Sequence, residues 1–326
     1  MTAGTSFAGW TPFHLSRHAR TPDGSPALRW CWLGARRLEE PFLDQTLEEL
    51  FRFSPWSLLL RRTTSLDEWA AHPEAAQALT PAGFIFHVSR CGSTLISRSL
   101  ASLPDARVVS EPRPLADFLA LTDDEARRAR RLRALVAAHG LTAAPGERRF
   151  FIKFDSVSSL DMAFVRSVFP AVPWVFAYRD PVEVFVSNLE SGSAALSPGV
   201  LDARRLGFED PAVPLRRYAA MVLARYYAAG LEHANAPGGL LLDYRQLPAA
   251  IPTTVAAHFG LTLSAEDTRR MMAVAAHYAK EPGEPIPFEA DSAAKQRRAS
   301  ESVRRLVEEY LQPVYQQLES RRHERG

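Results

Sequence analysis

From Gly83 onward the chain repeats one pattern, a short, mostly apolar run followed by a stretch with helical spacing. The runs are Phe84–Val88, Arg107–Val109, Arg149–Phe154, Pro173–Tyr178 and Gly239–Asp243. A strand with one wet face alternates apolar and polar residues, whereas a continuously apolar strand is buried on both faces. Intervening helices supply the two covers. The pattern predicts an α/β fold with a parallel β-sheet of about five strands flanked by helices. In such a sheet ligands bind beyond the carboxyl ends of the strands, so the loops after the runs are where function is expected.

Helices are expected over about 94–103, from the Thr122–Glu125 cap to about 139, and over 158–168. Others are expected from Pro181 and over about 214–235, 248–259, 264–279 and 300–319. Ahead of Gly83 the pattern differs. Residues 1–40 read as irregular, broken by Pro12, Pro22, Gly24 and Pro26. Helices follow over about 41–53 and 65–79, the second opened by the Ser65–Glu68 capping box. Thr80-Pro81-Ala82-Gly83 then breaks the chain, which divides it into a helical N-terminal extension (1–80) and a main domain (81–326).

Composition narrows the function. Lys plus Arg is 39 and Asp plus Glu is 37 in 326 residues, so 39 − 37 leaves a net charge of +2, which excludes a whole-surface nucleic-acid binder. A chain 46% hydrophobic and 23% charged is neither disordered, collagen-like nor coiled coil. Cys31 and Cys91 form no CxxC pair, so no disulfide framework or zinc cluster is expected, and a reducing cytoplasm is the simplest setting. No apolar h-region opens the sequence and no run approaches the ~20 apolar residues of a membrane span, so neither a signal peptide nor a span is expected.

The first run ends in Ser89-Arg90-Cys91-Gly92-Ser93-Thr94 at the start of a helix. Gly92 lets backbone approach a ligand closely, and the free N–H groups and dipole of a helix N-terminus favour an anion. Arg90 adds a forked charge, and Ser93 and Thr94 add donors. An ordinary βα turn with a hydroxyl cap is the plainer alternative, which the combination of Arg, Gly, Ser and Thr outweighs. The Walker A pattern is absent, with no Lys before the hydroxyl pair.

With a second segment, Arg179-Asp180-Pro181 followed by Ser187, this loop resembles the sulfotransferases that use 3′-phosphoadenosine 5′-phosphosulfate (PAPS). In that family a basic residue, a small residue, Gly and two hydroxyls form the phosphosulfate loop. An Arg-x-Pro with a Ser eight residues after the Arg grips the 3′-phosphate. Phe169-Pro170 and Leu242-Asp243-Tyr244-Arg245-Gln246-Leu247 are similar to further family segments, and the resemblance runs from about Gly83 to the C-terminus. It implies a P-loop NTPase-like sulfotransferase fold with PAPS as co-substrate and no metal. Ser89, Arg90, Cys91, Gly92, Ser93 and Thr94 would hold the 5′-phosphosulfate, with Arg90 stabilising the leaving phosphate. Arg179 and Ser187 would hold the 3′-phosphate, with Lys295, Arg297 and Arg298 closing over the nucleotide. The Arg-Lys-Gly and Gly-Asp-Trp of the cytosolic branch are missing from this C-terminal stretch.

Glu111, at the end of the second run and expected next to the first loop on a neighbouring strand of the parallel sheet, sits where one branch of the family carries its general base. The plainer reading is a solvated acid or an ion pair with Arg113. His87 is the rival base, with a hydrogen-bonded core histidine as its plainer reading. Lys153 contacts nucleotide or pairs with Asp155. Arg179 alone reads as a surface salt bridge, Ser187 as an exposed hydroxyl, and the Lys295 cluster as a solvated patch. Cys91 sits where a helix N-terminus lowers a thiol pKa, though packing is its default role.

The reaction implied is sulfuryl transfer to an acceptor hydroxyl or amine on a small molecule, apolar or natural-product-like, with no nucleic acid involved. Trp10, Trp30, Trp32, Phe51, Phe53 and Trp56 either line an acceptor pocket or form the core of the extension. A P-loop kinase or NTPase, and a non-catalytic nucleotide-binding module, remain as alternatives. The sequence does not specify the oligomeric state.

Overall fold

A computed structural model of the chain describes residues 6–22, 24–142, 144–208, 212–276 and 291–325. Strands β1 (Trp10–Arg20) and β2 (Pro26–Trp32) pair antiparallel. Helices α1 (Leu43–Phe53) and α2 (Pro55–Leu59) follow. Strand β3 (Arg61–Ser65) then completes a three-stranded sheet in the order β1-β2-β3. The extension is therefore mixed rather than helical. The residues read as breakers stand where a sheet tolerates them: Pro12 at a register shift of an edge strand, Gly24 in the turn, Pro26 at the first position of β2. Leu28, Trp30 and Cys31 are all buried in β2, so no alternation marks the strand in the sequence.

Ser65 and Glu68 close a reciprocal capping box at the start of α3 (Leu66–Ala70), which stops short of the expected 79 and gives way to a 3-10 turn over Pro73–Gln77. The rings of Phe7 and Trp30, and of Trp30 and Trp69, lie with centroids 4.8 Å apart. Trp30 Nε1 donates to Thr64 Oγ1 at 3.0 Å, and Trp69 Nε1 to the Ala134 carbonyl at 2.8 Å. Trp10 and Trp30 are thus core residues, and Phe51 is partly buried against the core. Trp32, Phe53 and Trp56 are exposed and so are not core residues.

The second sheet begins with β4 (Pro81–His87) and α4 (Ser93–Ala101), then β5 (Ala106–Ser110), α5 (Arg113–Leu119), α6 (Glu125–Gly140) and β6 (Arg149–Lys153). A 3-10 turn over Val157–Asp161 leads into α7 (Met162–Val168), β7 (Trp174–Tyr178), α8 (Pro181–Ser191), α9 (Ala203–Leu206), α10 (Leu215–Glu232) and β8 (Gly239–Asp243). Helices α11 (Ala256–His258), α12 (Ala265–Ala275), α13 (Ser292–Arg298), α14 (Glu301–Leu306) and α15 (Gln312–Arg325) complete the chain. The expected end of the helix at 277–279 lies outside the described residues, as do 287–290 of the stretch 287–298, which the sequence marks as a polar loop and whose described part forms α13 instead.

All five strands of this sheet run parallel, in the order β5-β6-β4-β7-β8, as the continuous apolar runs require. Winding reverses at β4, because β5 and β6 lie on one side of it and β7 and β8 on the other. The carboxyl end of β4 is therefore the point where such sheets open a crevice for ligands. One expectation is corrected. Glu111 does not follow a strand adjacent to β4, because β6 lies between, with Ser110 and Ile85 both registered on Lys153.

Candidate functional site

The Val88 N–H still bonds the Ala177 carbonyl at 3.2 Å, so the loop begins at Ser89. Ser89 and Arg90 then take φ of 77° and 53°, and Gly92 takes 85° as the residue before α4. Left-handed backbone is costly for side-chain-bearing residues and persists where the surroundings enforce it. A run of such residues turns N–H groups into a concave anion-binding nest, to which the first turn of α4 adds its unpaired amides. Only glycine fits position 92, because a Cβ there would lie 2.6 Å from Leu247 Cδ1 and 2.9 Å from Tyr244 Cδ2.

Side chains fix the loop to α8 and β7. Ser89 Oγ donates to Asn188 Oδ1 at 3.1 Å, and Arg90 Nε to Ser187 Oγ at 2.7 Å. Cys91 is buried with Sγ 3.1 Å from the Ala177 carbonyl, which accounts for it as a packed donor. The loop forms one wall of a cavity of about 260 Å³, and Phe42, His87, Glu111, Ser156 and Asn188 stand around the rest.

Glu111 has φ of 50°, and its N–H donates to the Lys153 carbonyl at 2.7 Å, which folds the chain back over the end of β6. Its Oε1 pairs with the fully buried Lys153 ammonium and lies 3.5 Å from His87 Nε2. Glu111 therefore pairs with Lys153 rather than Arg113, which binds Asp117, and Lys153 pairs with Glu111 rather than Asp155. Burial pushes the Glu111 pKa up, but the Lys153 charge and His87 outweigh it and hold the carboxyl below its ordinary value. His87 is buried, and its Nδ1 accepts the Ser89 N–H at 3.0 Å. Acceptance at Nδ1 requires the tautomer protonated on Nε2. That nitrogen makes no hydrogen bond to a described residue. His87 is thus more than a satisfied core histidine, since it lines the cavity beside the carboxylate.

Arg179 is buried at the end of β7, not at the surface. Its Nε pairs with Glu183, and its Nη2 donates to Asp291 Oδ1 at 2.6 Å and Ser292 Oγ at 3.2 Å. The guanidinium lies 3.8 Å over the Tyr244 ring. Lys295 is also buried and holds the other oxygen of Asp291 at 2.5 Å. Burial lowers the Lys295 pKa, Asp291 partly offsets this, and Arg179 and Arg90 add to the lowering. The Asp291 carboxyl is pushed up by burial but brought below its usual range by Arg179 and Lys295.

The two parts of the second motif thus have different partners. Ser187 is buried and bonded to Arg90, while Arg179 faces α13. Of the C-terminal basic residues only Lys295 joins the cluster, whereas Arg298 pairs with Glu190 at 3.2 Å on the surface and Arg297 is exposed. Among the described residues, no group of three or more His, Cys, Asp or Glu is placed to hold a metal ion. The sequence reading missed Phe42, Ser156, Asn188 and Asp291. Of these, only Asn188 had a signal, one position after Ser187 on the same helix.

The fold is similar to the sulfotransferase STF9 from Mycobacterium avium, with a TM-score of 0.46 and 17% identity, over 74% of this chain and 78% of that one. It is similar to a sulfotransferase from Alicyclobacillus acidocaldarius, with a TM-score of 0.42 and 16% identity over 75% and 96%. It is also similar to the mouse sulfotransferase SULT7A1 complexed with PAP, with a TM-score of 0.39 and 11% identity over 77% and 92%. No family model and no curated protein matches the chain.

Proposed function

We propose that this chain is a PAPS-dependent sulfotransferase acting on a small-molecule acceptor. The observation that carries the reading is the shared cavity, in which the Ser89–Thr94 loop with Arg90 forms one wall and Glu111 stands on another. An anion site facing a carboxylate suits a reaction that places negative charge on one partner and draws a proton from the other. The donor set fits the nucleotide. The amides of the loop and α4, with Arg90, Ser93 and Thr94, would hold the 5′-phosphosulfate. Arg179 and Lys295 already surround a carboxylate, as they would the 3′-phosphate.

PAPS, when bound, supplies the sulfuryl group. Glu111 takes the acceptor's proton on Oε2, since its contacts to described residues fall on Oε1. The acceptor oxygen or nitrogen bonds to sulfur as the bond from sulfur to the 5′-phosphate oxygen breaks. That oxygen keeps the electron pair, and Arg90 stabilises the charge that builds there. Adenosine 3′,5′-bisphosphate leaves. Lys153 keeps Glu111 ionised before the acceptor arrives, and the His87 Nε2–H faces it at 3.5 Å.

The test is to incubate the chain with PAPS and a panel of phenols, alcohols and amines and follow bisphosphate release. Acceptor-dependent release that Glu111→Gln abolishes is expected. Acceptor-independent release unchanged by Glu111→Gln would contradict the reading.

A further inference from the structure

Five of the large apolar side chains exposed on the described surface fall in one place: Trp32, Phe53, Trp56, Leu59 and Leu60. Ser57 Oγ donates to the Trp32 carbonyl at 3.2 Å, which joins the end of β2 to α2. Trp56, Leu59 and Leu60 stand at i, i+3 and i+4, one face of a single helical turn closed by the Leu60 N–H on the Trp56 carbonyl at 2.7 Å. Phe53, Trp56 and Leu59 are 73%, 70% and 72% exposed, so they project into solvent without walls around them.

The charge within the segment that carries the patch has one sign, although Glu48 and Glu49, the latter paired with Arg36, stand one turn earlier on α1. Residues 50–66 carry Arg52, Arg61 and Arg62 and no Asp or Glu. Arg52 lies 5.3 Å over the Phe53 ring, and Arg61 stands exposed on the rings of Phe13 and Phe51. Arg29 is exposed on the neighbouring strand, where its Cα partner is Thr63.

We propose that this patch docks the protein on an anionic lipid surface, with Phe53, Trp56, Leu59 and Leu60 entering the acyl boundary and Arg52 and Arg61 meeting the headgroups. Apolar side chains that project convexly suit a fluid medium that closes around them, whereas a protein partner would need a matching pocket. Aromatic and Leu residues beside Arg are the composition of interfacial segments. Among the described residues no helix is long and apolar enough to cross a membrane, so the attachment is peripheral. The proposal does not depend on the sulfuryl-transfer reading.

The test is cosedimentation of the full chain with vesicles of phosphatidylcholine alone and with about one third phosphatidylglycerol. Binding to the anionic vesicles, weakening as salt rises from about 0.05 to 0.5 M, is expected. Phe53→Ser, Trp56→Ser and Leu59→Ser combined should lower the partition coefficient about tenfold or more without lowering Tm, because these groups are exposed. Arg52→Glu with Arg61→Glu should remove the preference for anionic vesicles. Failure to bind any vesicle at low salt, or binding untouched by both variants, overturns the proposal. So does self-association, or capture of an acidic protein, that the apolar variant abolishes in the absence of vesicle binding.

Discussion

His87 Nε2 lies 3.5 Å from Glu111 Oε1, and the other ring nitrogen of His87 is occupied by the Ser89 N–H. The bond at Nδ1 leaves His87 protonated on the nitrogen that faces Glu111, a donor rather than a proton acceptor. Glu111→Gln should lower turnover by roughly 10²–10⁴ with nearly unchanged bisphosphate affinity. His87→Asn should cost less, by misplacing the carboxylate. Paired kcat measurements, with nucleotide binding checked for each variant, decide it. Collapse in His87→Asn with a near-normal Glu111→Gln would make His87 the base.

Lys153 sets the pH range of Glu111. Because the pair holds the Glu111 pKa below its ordinary value, the carboxylate persists to lower pH, and the acid limb of kcat/KM in the wild type should lie below the usual Glu range. Lys153→Met keeps an apolar stem but removes the charge. Burial is then less opposed, the Glu111 pKa rises, and the acid limb moves to higher pH. A limb that stays in place would mean that Lys153 does not control this carboxyl.

Arg90 and Arg179 should separate chemistry from binding. Arg90→Ala should lower kcat by roughly 10²–10³, the scale for one preorganised donor to a developing charge. Arg179→Ala should mainly weaken bisphosphate binding. It should also lower Tm, because Glu183 and Asp291 lose their buried partner. Loss of KM alone in Arg90→Ala would remove it from the chemical step.

Asp291 occupies two cations that the proposed 3′-phosphate needs. Its carboxylate holds Arg179 and Lys295, so on the proposed reading the phosphate has to displace it to bind. Asp291→Asn should tighten the bisphosphate about fivefold or more, read by calorimetry. Weaker binding would mean that Asp291 positions the cations rather than competing for them.

The main sheet was legible because its strands are largely apolar, without the alternation of a half-wet strand, a pattern that burial on both faces explains. The N-terminal sheet was not, because Pro12, Gly24 and Pro26 mark edge, turn and strand start there rather than the absence of strands. In the site, the loop and Glu111 could be placed from residue types next to strand ends. The Lys153–Glu111 pair could not, because it depends on β6 inserting between β4 and β5, an ordering that local sequence does not encode. Nor could the contact of Asp291 with Arg179, which joins residues far apart in the chain.

The most direct measurement is the change in Tm with adenosine 3′,5′-bisphosphate compared with ATP and magnesium. A ligand of the native state contributes RT ln(1 + [L]/Kd), about 2.7 kcal/mol at a hundredfold excess over Kd. The two proposed phosphate sites, the Arg90 loop and the Arg179–Lys295 pair, predict clear stabilisation by the bisphosphate and less by ATP with magnesium. Equal or greater stabilisation by ATP with magnesium would contradict the account.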